Sequence, residues 1–380
     1  MQPLDDITVV AIEQAVAAPF ATRHLADLGA RVIKVERPSG DFARAYDTSV
    51  HGQSSYFVWL NRNKESIVLD LKSPEDRELL REMLRSADIF IQNLGPGAIE
   101  RLGFDYETVS TANPKIIYTS ISGYGDTGSY REKKAYDLLV ACEAGLVSIT
   151  GTSEQPARVG ISVVDIAAGS YAFSGILAAL IQRSRTGRGD HLRISLLDAV
   201  GEWMSQPYLF STYSGRLIQR SGANHVTIAP YGPATTSDGA VFFSVQNQGA
   251  WERFCEVVLQ DSSLVDHPDF VTNDLRVEHR TELQELIESR LGQLTTAEAI
   301  TRLDEAEVPN AVLRSVEGFA DHPQLAERAR WSYIETPGGR VRVIKPPVDV
   351  DSFEYRWDPV PSIGEQTEAI RAEFSLSPEN

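Results

Sequence analysis

The spacing of apolar positions over residues 1–125 switches repeatedly between strand and helix periods. ITVVAI (7–12) is a short, β-branched apolar run, the pattern of a buried parallel strand. Ala18–Leu28 has helical spacing and stops at Gly29, and ARVIKVE (30–36) returns as a second strand. SIVLDLK (66–72), DIFIQNL (88–94) and KIIYTSISGYG (115–125) predict three more strands. Between them SPEDRELLREMLRSA (73–87) has Ser at the N-cap, Pro first in the helix and acids in the first turn. Strands alternating with helices through right-handed crossovers predict an α/β, doubly wound parallel sheet.

Beyond Ala135 the pattern predicts two long apolar helices, 135–149 and 166–183, then a TGRG turn and a strand running into a helix through DHLRISLLDAV. Residues 201–230 lack periodicity and read as a linker. A strand at 238–245 and helices at 249–259, 279–291 and 295–307 predict a second, smaller α+β domain. Residues 333–345 alternate around a Gly-Gly turn.

Composition changes the picture in one respect. The 380 residues carry 53 acidic and 36 basic side chains, a net charge of −17. That balance excludes duplex binding and attachment to an anionic membrane through basic charge, so neither a nucleic-acid nor a membrane partner is expected. The excess is uneven: residues 251–300 hold 11 acids against 4 bases and residues 351–380 hold 7 against 2, while residues 1–250 hold 27 against 23. The first 250 residues can therefore bind an anion locally.

Cys142 and Cys255 sit in apolar surroundings without ligand spacing, which predicts buried, reduced thiols in a cytoplasmic protein. The N-terminus lacks signal-peptide character, and the longest apolar run, AFSGILAALI (172–181), falls short of a membrane span.

GYGDTG (123–128) matches GxGxxG after a strand, but no helix opens on the glycines; the βαβ unit at 7–36 has no glycine in its first crossover. NAD and flavin are therefore not expected. The seven histidines lack paired-ligand spacing and no GxSxG elbow is present, so neither a metal nor a serine hydrolase is predicted. Asp165 precedes an apolar helix, where it reads first as an N-cap; a carboxylate at a helix N-terminus within apolar walls is also a usable nucleophile. Lys34, Arg37, Lys64, Lys72, Arg101 and the 131–134 run fall near strand ends, where such sheets bind ligands.

LADLGARVIKVERPSGDFAR (25–44), NRNKESIVLDLK (61–72), NLGPGAIERLGFDYE (93–107), NPKIIYTSISGYGDTGSY (113–130), GISVVDIAAGSYAFSGILAAL (160–180) and TGRGDHLRISLLDAV (186–200) occur in one order. Together they resemble the class III CoA-transferases (CaiB/BaiF type), which include formyl-CoA transferase, carnitine CoA-transferase and α-methylacyl-CoA racemase. The resemblance runs from Ile7 to about Pro347. It implies an interlocked-ring homodimer with a Rossmann-like large domain (1–200, completed by 330–380), linkers at 201–230 and 316–330, and a small α+β domain (231–315).

It also implies that Asp165 is the nucleophile and that Gly249 is a candidate oxyanion donor. Coenzyme A, as acyl-CoA substrate, would contact Val16, Ala17, Arg37, Leu69, Asp70, Leu71, Lys72, Asn93, Leu94, Gly95, Arg101, Lys133, Lys134, Ala135 and Tyr136. Formyl-CoA transferase has a longer glycine-rich loop near Gly249 and a Gln aligned with Val16, which argues against formate or oxalate here. The racemase histidine aligns with Tyr136, a poor base with a pKa of ~10. A non-catalytic CoA-binding protein is the remaining alternative. The N-terminal segments are similar to transferases acting on short dicarboxylates such as succinate, itaconate, mesaconate or citramalate. Arg44, His51, His225 and Gln248 are candidates for the second carboxylate.

Overall fold

Six parallel strands in the order β3-β2-β1-β4-β5-β6 form the main sheet: β1 (Thr8–Ile12), β2 (Arg31–Glu36), β3 (Lys64–Val68), β4 (Ile89–Gln92), β5 (Ile117–Ser122) and β6 (Asp190–Ser195). The order reverses between β1 and β4, so a crevice opens at the carboxyl ends of the strands there. The computed structural model describes residues 1–375; positions 376–380 of the expected returning segment lie outside the described residues.

The central strands β1 and β4 are near-continuously apolar because both faces are covered. Val10, Ile33, Ile67, Phe90 and Tyr118 pack with Leu80, Met83 and Leu84 of the Pro74–Ser86 helix into one buried cluster. Edge strand β3 is capped by the C-terminal segment: Ser66 N donates to Gln366 Oε1 at 2.8 Å and Val68 N to Thr367 Oγ1 at 3.0 Å. Those bonds blunt an otherwise open sheet edge.

The chain divides into two compact units: residues 1–146, 159–206 and 327–380, and residues 147–158 and 207–326. The second has an antiparallel sheet, β7 (Tyr231–Thr236), β8 (Gly239–Ser244) and β9 (Asn310–Val312), over a core containing Phe243, Trp251, Phe254, Leu283, Ile287 and Leu303. β10 (Trp331–Ile334) and β11 (Val341–Ile344) form the hairpin expected around Gly338–Gly339.

Several expectations need correction. The third strand ends at Val68, so Leu69–Lys72 form a turn in which Lys72 N donates to Asp70 Oδ1 at 3.0 Å. The helix expected at 135–149 is broken by Gly145 at φ +81° into Asp137–Glu143 and Leu146–Ile149. The stretch read as a 201–230 linker contains a helix, Ser205–Ser214, whose apolar residues lack a single-faced pattern. Residues 147–158 and 316–326 pack with the second unit. Cys142 is exposed and only Cys255 is buried. The Val163–Thr186 helix is, by length and composition, apolar enough to cross a membrane (mean hydropathy 1.7). Asp165, Gly169, Ser170 and Ser174 punctuate its apolar sequence, so no uninterrupted run marks it. Val164, Ala167, Ala168, Ala172 and Ile176 of this helix are nevertheless buried.

Candidate active site

Asp165 lies in the first turn of the Val163–Thr186 helix, which starts three residues before the expected Ile166, so Ser162 and not Asp165 holds the N-cap position. The capping role belongs instead to Asp137, which sequence reasoning missed. Its Oδ2 accepts from Val164 N at 2.8 Å and Asp165 N at 3.2 Å, satisfying two first-turn donors from outside the helix. The only sequence signal was an acid directly after Tyr136.

With its capping role taken over, the Asp165 carboxylate has no hydrogen-bond partner among the described residues. Burial, with the adjacent Asp137 charge, pushes it up to about 7. The fully buried carboxylates of this unit differ: Glu13, Asp27, Glu36, Asp41 and Asp76 are all bonded. Tyr46 stands near, its phenol pushed up to about 12 by burial and by the charges of Asp41, Tyr136 and Asp165.

A glycine positions what faces the helix. A Cβ on Gly169, one turn after Asp165, would lie 2.5 Å from the Ala17 carbonyl oxygen. Val16 and Ala17 open the Ala17–Asp27 helix, so only glycine at 169 lets that helix end approach the Asp165 face.

The crevice at the strand ends encloses about 270 Å³. It gathers the ends of β1, β2, β3 and β4: Gln14, Arg37, Leu69, Lys72 and Leu94 among others, with Leu102 of the Ala98–Leu102 helix. Arg101, on that helix, donates to Pro96 O at 3.4 Å, and Gly95 is exposed in the same β4 loop. The Asn93 side chain is spent on the backbone of Gln14, accepting from its N–H and donating to its carbonyl, both at 2.9 Å.

Lys34 and Lys64 are not loop cations but strand residues, fully buried. Lys64 Nζ bonds Glu13 Oε1 at 2.7 Å and Lys34 Nζ bonds Asp41 Oδ2 at 2.9 Å. Burial alone would raise Glu13, but the two lysines outweigh it and hold it below the usual range; burial pushes Lys64 down to about 8. The cations left for a ligand on the crevice rim are Arg37 and Lys72, both exposed.

The 123–136 loop supplies the remaining expected contacts. Ala135 Cβ sits 2.2 Å from where a Cβ on Gly123 would be, so the GYGDTG glycine serves close packing. Lys133 lies 4.3 Å from the Tyr130 ring centroid and pairs with Glu143. Lys134 and Tyr136 are exposed, and neither lines the crevice.

The substrate candidates divide. Arg44 is committed to Glu36, at 2.7 and 2.8 Å, and lies 3.6 Å from the Phe57 ring centroid. His51 occupies a turn at φ +51°, against Gly338. In the second unit His225 stacks on Tyr231 with ring centroids 5.1 Å apart. Gln248 and Gly249 form the first turn of the Gln248–Arg253 helix, capped by Asn247 on Ala250 N at 2.9 Å. Among the described residues no group of three or more His, Cys, Asp or Glu could hold a metal ion.

The model of CoA-transferase family III matches residues 4–367. The chain belongs to that family. It is an enzyme of the CoA-transferase class. It is 35% identical to the succinate–glutarate CoA-transferase of Agrobacterium fabrum, over 98% of this chain and 96% of that one. It is also 35% identical to an acetyl-CoA:oxalate CoA-transferase of Acetobacter aceti, over 98% and 96%. A succinyl-CoA:mesaconate CoA-transferase of Haloarcula hispanica is 32% identical over 89% and 87%. Among solved structures, a CAIB/BAIF family protein from Brucella suis is 33% identical with a TM-score of 0.85, covering 98% of this chain and 99% of that one. The mixed α/β fold with its parallel sheet is thus the fold of this family. The oxalate relative matches as closely as the glutarate one, so the comparisons lend no weight to the sequence argument against oxalate.

Proposed function

We propose that this enzyme moves CoA between short dicarboxylic acids with Asp165 as nucleophile. The supporting observation is the state of Asp165: a desolvated carboxyl in a helix first turn, left without a hydrogen-bond partner among the described residues. Ionised Asp165 attacks the thioester carbonyl, forming an aspartyl–acyl anhydride and releasing CoA thiolate. The incoming carboxylate attacks the aspartyl carbonyl and expels the first acid, which departs with one oxygen from Asp165. The thiolate then attacks the new acyl carbonyl, giving the new acyl-CoA and regenerating Asp165. One thioester replaces another, so no metal, redox cofactor or energy source enters the balance. A thiol pKa near ~8.5 makes the thiolate a competent leaving group.

In this reading the crevice binds CoA, with Arg37 and Lys72 toward its phosphates. Succinyl-CoA is the preferred donor; itaconate, mesaconate, citramalate and glutarate are the acceptors of choice, because the relatives' names pair CoA transfer with dicarboxylates. The working form is a cytoplasmic homodimer of the interlocked type. Leu138, Leu139, Tyr171 and Ile181 are exposed apolar side chains that a second copy would cover in this form.

The test is Asp165→Ala, assayed with succinyl-CoA against mono- and dicarboxylic acids by mass spectrometry. Loss of exchange with retained CoA binding supports the reading; undiminished exchange overturns it. Deuterium entering Cα of a branched acyl-CoA without exchange would indicate an epimerase instead.

A further inference from the structure

The turn from β1 into the Ala17–Asp27 helix is held by side chains from two other strand ends. Ala15 sits at φ +58°, a left-handed conformation that a residue with a Cβ adopts at a cost. Strain of this kind persists where the surroundings over-determine it, and it clusters at functional sites. Here the determinants are explicit. Ala15 N donates to Asp41 Oδ1 at 3.2 Å, and Asp41 is itself fixed by Ala43 N at 2.9 Å, by its own N–H on Glu36 Oε2 at 2.9 Å, and by Lys34 Nζ. From the other side Asn93 bonds both the N–H and the carbonyl of Gln14 at 2.9 Å. The helix that follows approaches Gly169, on the Asp165 face of its own helix, through the Ala17 carbonyl and the Phe20 side chain.

We propose that Asp41 and Asn93 are positioning residues for acyl transfer: they clamp Gln14–Ala15 so that the helix end carrying Ala17 and Phe20 forms a fixed wall beside the Asp165 helix. Asn93 then acts on the turnover step, and its side chain is not a CoA contact. The inference rests on Asp165 as the nucleophile.

The experiment compares wild type, Asn93→Ala, Asn93→Asp and Asp41→Asn for kcat, KM and the Kd of free CoA, with thermal melting to confirm folding. Asn93→Ala lowers kcat about tenfold or more, as small misplacements beside a reacting group do, while Kd for CoA stays within about twofold. Asn93→Asp, which keeps the acceptor toward Gln14 N–H and loses the donor toward its carbonyl, moves the same two quantities in the same way. Ala15→Gly in the Asn93→Ala background recovers about threefold or more of the lost kcat, because glycine holds a positive φ without the clamp. A Kd for CoA that rises in step with the loss of rate, an unchanged kcat in folded Asn93 variants, or no recovery with Ala15→Gly overturns the proposal. Asp165→Ala is assayed alongside. Exchange surviving that substitution overturns the nucleophile reading and this proposal with it; a dead Asp165→Ala beside an unimpaired Asn93→Ala overturns the positioning alone.

Discussion

Asp137 Oδ2 accepts the backbone N–H of Asp165 at 3.2 Å and that of Val164 at 2.8 Å. One carboxylate thereby fixes where the Val163–Thr186 helix begins and places a negative charge beside a second carboxyl. The two effects act together: the bond orients the first turn, and burial, reinforced by that charge, raises the Asp165 carboxyl to about 7.

The pH profile follows from that pair. Only ionised Asp165 can attack, and burial together with Asp137 pushes its carboxyl up to about 7. The rate constant kcat/KM for acyl-CoA therefore rises with pH and levels off above that value. Asp137→Asn keeps an oxygen to cap the helix and removes the charge, so the limb moves to lower pH. A limb that stays in place, or moves upward, contradicts the coupling.

The buried charges around Glu13, at the crevice wall, predict a stability effect. Glu13 neutralises Lys64 at 2.7 Å and faces Lys34 at 3.4 Å, all three fully buried. Glu13→Gln leaves two lysines with one carboxylate between them and costs about 3–5 kcal/mol, read from urea unfolding at neutral pH. Because Glu13 is held below the ordinary value of 4.5, its contribution is complete above that pH and fades as the pH falls toward the depressed one. A loss under about 1 kcal/mol would contradict the assignment of this network as a structural support.

Arg37 and Lys72 line the crevice and are exposed, so their charges are available to a polyanion. Replacing both with Ala raises the Kd of CoA about tenfold at low salt, less at high salt, and leaves kcat nearly unchanged. Calorimetry at two ionic strengths measures it. Equal affinity at low salt would place CoA elsewhere.

Much of this architecture is legible along the chain. The β-branched stretches at 7–12 and 30–36 read as buried strands, and Ser73–Pro74 marks a helix start without help from tertiary structure. Leu69–Lys72, Arg37 and Leu94 were expected to share a site, and the strand ends bring them to one crevice. What stayed hidden depends on partners distant in sequence. Lys34 and Lys64 look like solvated cations until Glu13 and Asp41 are seen beside them. Asp165 reads as a cap because the true cap, Asp137, is 28 residues away. Asn93 looks free for a ligand until Gln14, 79 residues earlier, takes both ends of its amide. Net charge −17 likewise says little of the crevice: of the four acids in its lining, Glu13, Glu36 and Asp41 are each paired with a cation and only Asp70 stands exposed.

The oxygen balance of the proposed reaction provides its most direct test. The acceptor acid, carrying ¹⁸O in its carboxylates, is incubated with succinyl-CoA and the enzyme, and the peptide containing Asp165 is analysed by mass spectrometry. An aspartyl–acyl anhydride leaves one acceptor oxygen in the regenerated carboxylate, so the account predicts ¹⁸O in Asp165 after turnover and none with acceptor alone. Full exchange with an unlabelled Asp165, or with label in a different residue, would contradict it.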